Sequence, residues 1–519
     1  MTIFIQDYLR YYARNEPDMA CLTIEGKTSS YSEVSTLSNQ MANGFREMGV
    51  QKGERVAILG ENSLEHLILF MAASKIGAVI VSLNYRLAPR ELVYILKDAD
   101  AKVLVVNADK EKTLEKMRAD LSVELKIITA SGSNSLKYRE WLFSQSQADL
   151  QVELSTEDPF FQLYTSGTTG NPKGVVTSHG NLLYLSQINE VATPVRASQG
   201  DAAVICAPMF HIGGAASILL RIFGGVHILL HKSFNPEHVI SDIENHTIAN
   251  IFMVPAMIMA ILNIPGIENR DFSKLSQIFY GASPISESVL RRAMTVFKCE
   301  FIQLYGMTET TGAATNLSAA DHRKAVSGHP EILRSCGRPS LGIDIKIMDF
   351  DGQEVSTGEI GEIWIKSPTN MLHYYNIPKA TAKNLTDGWV HTGDAGYKDE
   401  EGYIFLKDRI KDMVVSGAEN IYPVEVENTV AEHPAIMDVA IIGVPDTKMG
   451  EALLAVVVLK DGQSLDTEEL IAFCREKIAG YKIPRKLKIV NELPRNPTVK
   501  VLKKILREPY WKGKMRRIG

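Results

Sequence analysis

The run YTSGTTGNPKGV, from Tyr164 to Val175, gathers three glycines, five hydroxyl side chains and one lysine between two apolar segments. That mixture suits a polyphosphate. Gly167, Gly170 and Gly174 allow backbone turns that a Cβ would obstruct, which lets main-chain N–H groups face an anion. Thr165, Ser166, Thr168 and Thr169 bring hydroxyls, and Lys173 brings a mobile point charge that can follow phosphate oxygens as they leave. The spacing is not that of a Walker-type loop, in which the lysine directly follows glycine and opens a helix. Pro172 before Lys173 and Gly174 after it predict a flexible loop instead.

Four more strings follow in order: PMFHIGG (Pro208 to Gly214), LYGMTE (Leu304 to Glu309), HTGDAG (His391 to Gly396) and KDRIKDMVVSGAENIYPVEVE (Lys407 to Glu427). With the first run they resemble the adenylate-forming superfamily of acyl-CoA synthetases, luciferases and peptide-synthetase adenylation domains, across nearly the whole chain. The pairing of SGAENIYP with LPRNPTVK is similar to the acyl-CoA synthetase branch. The resemblance implies two half-reactions. A carboxylate attacks the α-phosphate of ATP to give acyl-AMP and pyrophosphate, and a thiol then displaces AMP. Such transfers require in-line positioning and charge neutralisation more than covalent help from the protein.

The residue types meet those needs. Glu309 is a hard oxygen ligand suited to holding Mg²⁺ against phosphates beside Thr308. Tyr305 offers a stacking face for adenine, with Gln303, Gly306 and the Gly281–Ala282–Ser283 turn beside it. Asp394 can accept from both ribose hydroxyls, and Arg409 can donate to the sugar or the phosphate. By resemblance His211 borders the acyl site, and no His/Cys spacing points to a metal centre of that kind. Also by resemblance, Lys411 is the pivot of a small rotating domain, and the loop Ser416, Gly417, Ala418 lines the channel for the pantetheine arm of coenzyme A. Lys500 matches the lysine that stabilises the carboxylate and α-phosphate during adenylation. Lys503 and Lys504 compete with it on charge alone, and the motif register favours Lys500. Two positions depart from the family pattern: Val499 stands where glycine is usual, and Ala418 replaces the second glycine of SGG.

The elements that must carry these residues read as β-branched runs alternating with amphipathic stretches: RVAILG near 55, AVIVSL near 80, KVLVVN near 104, AVICAP near 205, ANIFMV near 251, QIFYGAS near 280 and FIQLYG near 303. This predicts an α/β fold with two doubly wound, largely parallel sheets, dividing near residue 160, and places the phosphate loop beyond the carboxyl end of the strand PFFQLY. From Gly337 to Leu406 shorter strands between FDGQ, TDGW and DEEGY turns predict a β subdomain. VAIIGV, LLAVVVL and KLKIVNEL, with helices over Thr467 to Ala479 and Val501 to Arg507, predict a small mobile α+β domain. The expected domains are 1–408 for ATP and acyl binding and 409–519 for the mobile part.

Composition sets limits. With 519 residues, 45% of them hydrophobic, the chain should bury more than one core. A net charge of −5 offers no basic field for nucleic acid. Cys21, Cys206, Cys299, Cys336 and Cys474 are widely spaced and odd in number, which reads as reduced thiols in a cytoplasmic protein. The apolar window Leu67 to Leu83 is interrupted by Ser74, Lys75 and Gly77, so it reads as helix then strand and not as a transmembrane span. The expected partners are ATP, coenzyme A and a small carboxylic acid, and a homodimer is compatible with the resemblance. The segments His211 to Ser217, Val254 to Met259 and Gly306 to Ala314 are apolar or small, which favours a medium-to-long-chain fatty acid. An aryl or phenylpropenoic acid fits the same composition, and loading of a carrier protein in place of coenzyme A stays open.

Overall fold

The computed structural model describes residues 2–130, 136–165, 171–192, 201–283, 285–416, 419–446, 449–495 and 501–512. The chain forms two compact units, Met1–Asp344 with Ile365–Val390, and Ile345–Trp364 with His391–Gly519.

The first unit holds two large sheets. In one, the parallel strands Arg55–Leu59, Val79–Leu83, Ala101–Val106 and Lys126–Thr129 are extended by Pro159–Thr165, then by antiparallel Lys173–Ser178 and His373–Tyr374. In the other, Ala202–Ile205, His227–Leu230, Ile248–Met253, Gln277–Gly281 and Glu300–Tyr305 run parallel. The hairpin of Ala20–Ile24 and Lys27–Ser30 closes one edge of this second sheet. The expected division near residue 160 therefore moves. Residues 20–30 join the later sheet, and Lys173–Ser178 folds back onto the earlier one, because its antiparallel pairing with Pro159–Thr165 is a local hairpin that closes at little entropic cost.

The helix Leu64–Ile76 is buried all round, and so lacks the stripe pattern of a surface helix. Gly77 at φ 68° ends it, and the strand Val79–Leu83 follows, as the sequence predicts. Lys75 is buried within that helix, where its ammonium meets Asp149 at 2.9 Å. Among the described residues no helix is long and apolar enough to cross a membrane.

The second unit contains the antiparallel pair Trp389–Lys398 and Ile404–Arg409, and a sheet built on Ile436–Asp446 and Gly450–Leu459. Both faces of that sheet are buried. Leu453, Ala455 and Val457 join the cluster under the helices Pro423–Ala431 and Thr467–Arg475, while Leu454, Val456 and Val458 face Leu506 and Tyr510 of the helix Lys503–Trp511. The period of two along Gly450–Leu459 serves both layers, which is why LLAVVVL reads as an uninterrupted apolar run. Two helix boundaries differ from expectation. The first helix stops at Arg475, and the last spans Lys503–Trp511, because Val501 is occupied by a bridge to Arg495.

Candidate functional site

Thr165 and Lys173 face each other at the mouth of the hairpin formed by Pro159–Thr165 and Lys173–Ser178. The tip that joins them carries Ser166, Gly167, Thr168 and Thr169 and lies outside the described residues. The helix Pro89–Asp98 fastens the base of this hairpin. The phenol of Tyr164 donates to Asp98 Oδ2 at 2.5 Å and accepts from Gln162 Nε2 at 2.9 Å. Burial, then Asp98, push the Tyr164 phenol far up, so it stays protonated. Gly174 is not a turn residue, contrary to the sequence reading. It lies within the strand, and a Cβ there would crowd Gln162 and Tyr164 at 3.0 and 3.1 Å.

The strand Glu300–Tyr305 leads into the turn that presents Glu309. A Cβ at Gly306 would run into the carbonyl oxygen of Gly312, so only glycine lets this turn fold so tightly. Met307 N–H donates to Thr310 Oγ1 at 3.0 Å, and Thr311 adopts φ 52° to reverse the chain. Thr308 is half-buried and Glu309 is 7% exposed. Glu309 Oε1 accepts from the phenol of Tyr374 at 2.8 Å, and its carbonyl accepts from Met371 N–H at 2.8 Å. Among the described residues no cation pairs with this carboxylate, and none form a cluster of three or more metal-type ligands. Lys173 Nζ stands 4.5 Å from the centroid of the same Tyr374 ring. A single buried carboxylate with an oxygen to spare fits Mg²⁺, which commonly takes one or two protein carboxylates and completes its shell with substrate phosphates and water.

Gly281 lies beneath the Leu304 carbonyl, where a Cβ could not fit. Ala282 follows at φ +66°, a left-handed conformation that costs a non-glycine residue about 1 kcal/mol or more, and both it and Ser283 are exposed. Gln303 and Tyr305 are half-buried on the neighbouring strand. Gln303 Oε1 lies 3.3 Å from the Tyr280 hydroxyl, which is 2.9 Å from His322 Nε2. His322 Nδ1 is 2.8 Å from the Ser318 carbonyl and must therefore carry the proton, so Nε2 accepts from Tyr280. Burial pushes His322 down to about 4 and keeps it neutral at pH 7, while the Ser318 carbonyl fixes the tautomer.

His211 precedes the helix Ile212–Gly224 and is half-buried, with its ring 4.3 Å from that of Phe210. Its Nε2 has no protein partner among the described residues. Burial, then the charge of Arg86, push it down to about 4, so it is a neutral imidazole at pH 7. The guanidinium carbon of Arg86 lies 5.9 Å from the ring centroid of Phe210, the residue before His211.

In the second unit Asp394 and Arg409 are cross-strand partners, with Arg409 Nε 2.7 Å from Asp394 Oδ1. Arg409 Nη1 also donates to the Thr392 carbonyl at 2.9 Å, and Thr392 Oγ1 accepts from Asp394 N–H at 3.0 Å. The two candidate nucleotide contacts thus hold each other in place. Lys411 lies in the turn Ile410–Asp412, and Ser416 is buried beside Gly450 on the adjoining strand. Gly417, Ala418, Val499 and Lys500 lie outside the described residues. Lys503 is removed as a competitor for the Lys500 role. It is half-buried, 2.8 Å from Glu427 and 3.5 Å from Asp408, and cannot serve as a free charge. Lys504 is exposed. Tyr374, which the sequence reading missed, joins Glu309 to Lys173, and no local spacing signals it.

Residues 9–375 match the AMP-binding enzyme family, and residues 425–500 match the AMP-binding enzyme C-terminal domain. A fatty acid–[acyl-carrier-protein] ligase of Streptomyces coeruleorubidus is 35% identical over 98% of this chain and 97% of its own. A feruloyl-CoA synthase of Amycolatopsis is 35% identical over 96% of this chain and 97% of its own. The structure of o-succinylbenzoate coenzyme A synthetase from Bacillus subtilis, in complex with ATP and magnesium ion, superposes with a TM-score of 0.84. It is 29% identical and covers 96% of this chain and 98% of that one.

Proposed function

Because this chain belongs to the AMP-binding enzyme family as an AMP-forming acid–thiol ligase, we propose that it activates a medium-to-long-chain fatty or similarly apolar carboxylic acid as its acyl-AMP and passes the acyl group to coenzyme A. The observation that carries the adenylating half is Glu309, a buried carboxylate with one oxygen fixed by Tyr374 and no cation partner among the described residues. Mg²⁺ supplies charge neutralisation for the triphosphate when bound. Glu309 with Thr308 would hold it, and Lys173 would follow the β- and γ-phosphates with the hydroxyls of Thr165, Ser166, Thr168 and Thr169. Tyr305, Gln303, Gly306 and the Gly281–Ala282–Ser283 turn would bind adenine, and Asp394 with Arg409 the ribose. Lys500 would meet the carboxylate and α-phosphate. Residues 1–408 would bind ATP and the acid, while 409–519, which supplies Arg409 and Lys500, would turn about Lys411 to bring Ser416, Gly417 and Ala418 to the pantetheine arm.

A neutral, half-buried His211 followed by Gly213, Gly214, Ala215 and Ala216 supports an apolar acyl group. The likeness to feruloyl-CoA synthase supports an aryl acid as a second acyl class, and the likeness to the Streptomyces ligase supports a carrier protein as a second acceptor. The deciding experiment measures AMP release over a panel of aliphatic and aromatic acids, with coenzyme A and with an acyl carrier protein separately. Acid-dependent release with coenzyme A and an aliphatic acid is expected. Release only with carrier protein, or only with aryl acids, overturns the acceptor or the acyl assignment.

A further inference from the structure

Tyr374 touches both charged groups of the phosphate site without being charged itself. Its hydroxyl donates to Glu309 Oε1 at 2.8 Å, and its ring face lies 4.5 Å from Lys173 Nζ. The backbone around it is stitched to both neighbours. Met371 N–H donates to the Glu309 carbonyl at 2.8 Å, Leu372 N–H to Val176 and Tyr375 N–H to Gly174 at 2.8 Å each, and Tyr374 pairs with Val175 two residues beyond Lys173. Tyr374 is 4% exposed, and its N–H is satisfied by Thr381 Oγ1 at 3.0 Å. Lys173 and Glu309 are both held against Tyr374, yet no ion pair joins the two among the described residues.

We propose that Tyr374 is a positioning residue of adenylation, a neutral spacer whose ring keeps Lys173 from pairing with Glu309 while its hydroxyl aims the carboxylate. Resting on the adenylating reading above, this gives the spacer a definite job. If Lys173 and Glu309 paired in the empty site, that bond would have to break before either could meet a metal-bound triphosphate. A cation held on a ring face is more weakly bound than one in a buried ion pair, so it transfers to phosphate at lower cost. The phenol meanwhile satisfies one carboxylate oxygen and leaves the other for the metal.

Two variants separate the two roles. Tyr374→Phe keeps the ring and loses the hydroxyl, and its Mg²⁺ half-saturation in acid-dependent exchange of pyrophosphate into ATP should rise roughly tenfold, as expected for loss of one charge-assisted hydrogen bond. Thioester formation from supplied acyl-AMP should be unaffected. Tyr374→Leu removes the ring, so in the ligand-free protein Lys173 should pair with Glu309 and react several-fold more slowly with trace acetic anhydride, read by peptide mass spectrometry. Adding Glu309→Gln to Tyr374→Leu should restore the wild-type labelling rate. Unchanged Lys173 labelling in Tyr374→Leu overturns the spacer role, and unchanged Mg²⁺ half-saturation in Tyr374→Phe overturns the aiming role. Should the Leu variant fail to fold, Glu309→Gln alone decides the spacer role: with the ring in place Lys173 labelling should match wild type, and faster labelling, which would mean that Lys173 was already paired with Glu309, overturns it. The adenylating reading fails differently, by wild-type protein that shows no acid-dependent exchange at all.

Discussion

Acidification should unfold the first unit well before the second, and the reason lies in its buried histidines. His66, His179, His211 and His322 are pushed down to about 3, 4, 4 and 4, with burial the leading cause for each. His66 is opposed by Asp109, His179 by Asp158, and His322 by the Ser318 carbonyl and Asp321, but burial wins each time. A histidine whose folded pKa lies below its unfolded value takes up a proton on unfolding throughout the interval between the two. Stability therefore falls as pH drops from about 6.5 towards 4. At pH 4.5 each contributes a loss of about 2 to 3 kcal/mol, and together they reach the order of 10 kcal/mol, comparable with the whole net stability of a domain. Near pH 5.3 the four correspond to about four protons, a slope of roughly 5 kcal/mol per pH unit. His227 and His373 are lowered too and add in the same direction, and in the second unit His391 alone is lowered by burial. In the second unit Asp408 and Glu427 are raised by burial, with Lys503 pulling against it. Their contribution has the opposite sign, present below the ordinary carboxylate range and lost as pH rises through the raised values. Calorimetry from pH 7.5 to 4.5 should show one transition falling steeply while the other holds. Urea unfolding of His179→Gln should show a pH slope reduced by about one proton. A wild-type slope near zero between pH 6.5 and 4.5 would refute the argument.

Gly306→Ala should abolish exchange of pyrophosphate into ATP by a hundredfold or more, since a methyl group there meets the Gly312 carbonyl and displaces the turn carrying Glu309. Near-normal exchange would show that the turn can relax. Asp394→Asn keeps the shape but weakens the tie to Arg409, and should raise the KM for ATP roughly tenfold, as for a charge-assisted hydrogen bond, with little change in melting temperature; an unchanged KM removes Asp394 from the nucleotide. Lys500→Ala should stop acyl-AMP formation and spare thioester formation from supplied acyl-AMP, and equal loss of both in folded protein contradicts its assigned role.

The parts of this protein that can be read from its sequence are those whose chemistry is local. The strands around 55, 80, 104, 205, 251, 280 and 303 announce themselves by β-branched runs, and each appears within a residue or two of its expected place. The helix Leu64–Ile76 was readable too, because Gly77 and the polar Ser74 and Lys75 break what would otherwise pass for a membrane span. The partition into sheets was not readable. Which sheet receives residues 20–30 or 173–178 depends on edge pairing between distant strands, and hydrophobic period carries no information about partners.

The same limit explains how the site was read. Glu309 and Asp394 could be singled out because a carboxylate in a glycine-containing string already suggests a metal-bound phosphate or a sugar, and Arg409 because its guanidinium can donate to the same sugar or phosphate. Gly174 sits in the same kind of string and was given the same turn-making role, yet the strand it occupies uses its missing side chain to admit Gln162 and Tyr164. Lys503 had a charge as good as its neighbours', and only the fold shows that charge spent on Glu427 and Asp408. Tyr374 is the extreme case. In HYYN it looks like one aromatic of a core pair, and its partner Tyr375 does turn the other way, its hydroxyl accepting from Arg55 at 2.8 Å. What distinguishes the two is strand alternation at a register set by Lys173–Ser178, which aims one ring at the phosphate lysine and the other away from it. A positioning residue of this kind has no composition signature, because its value lies in where two other segments, each more than sixty residues away, have placed their charges.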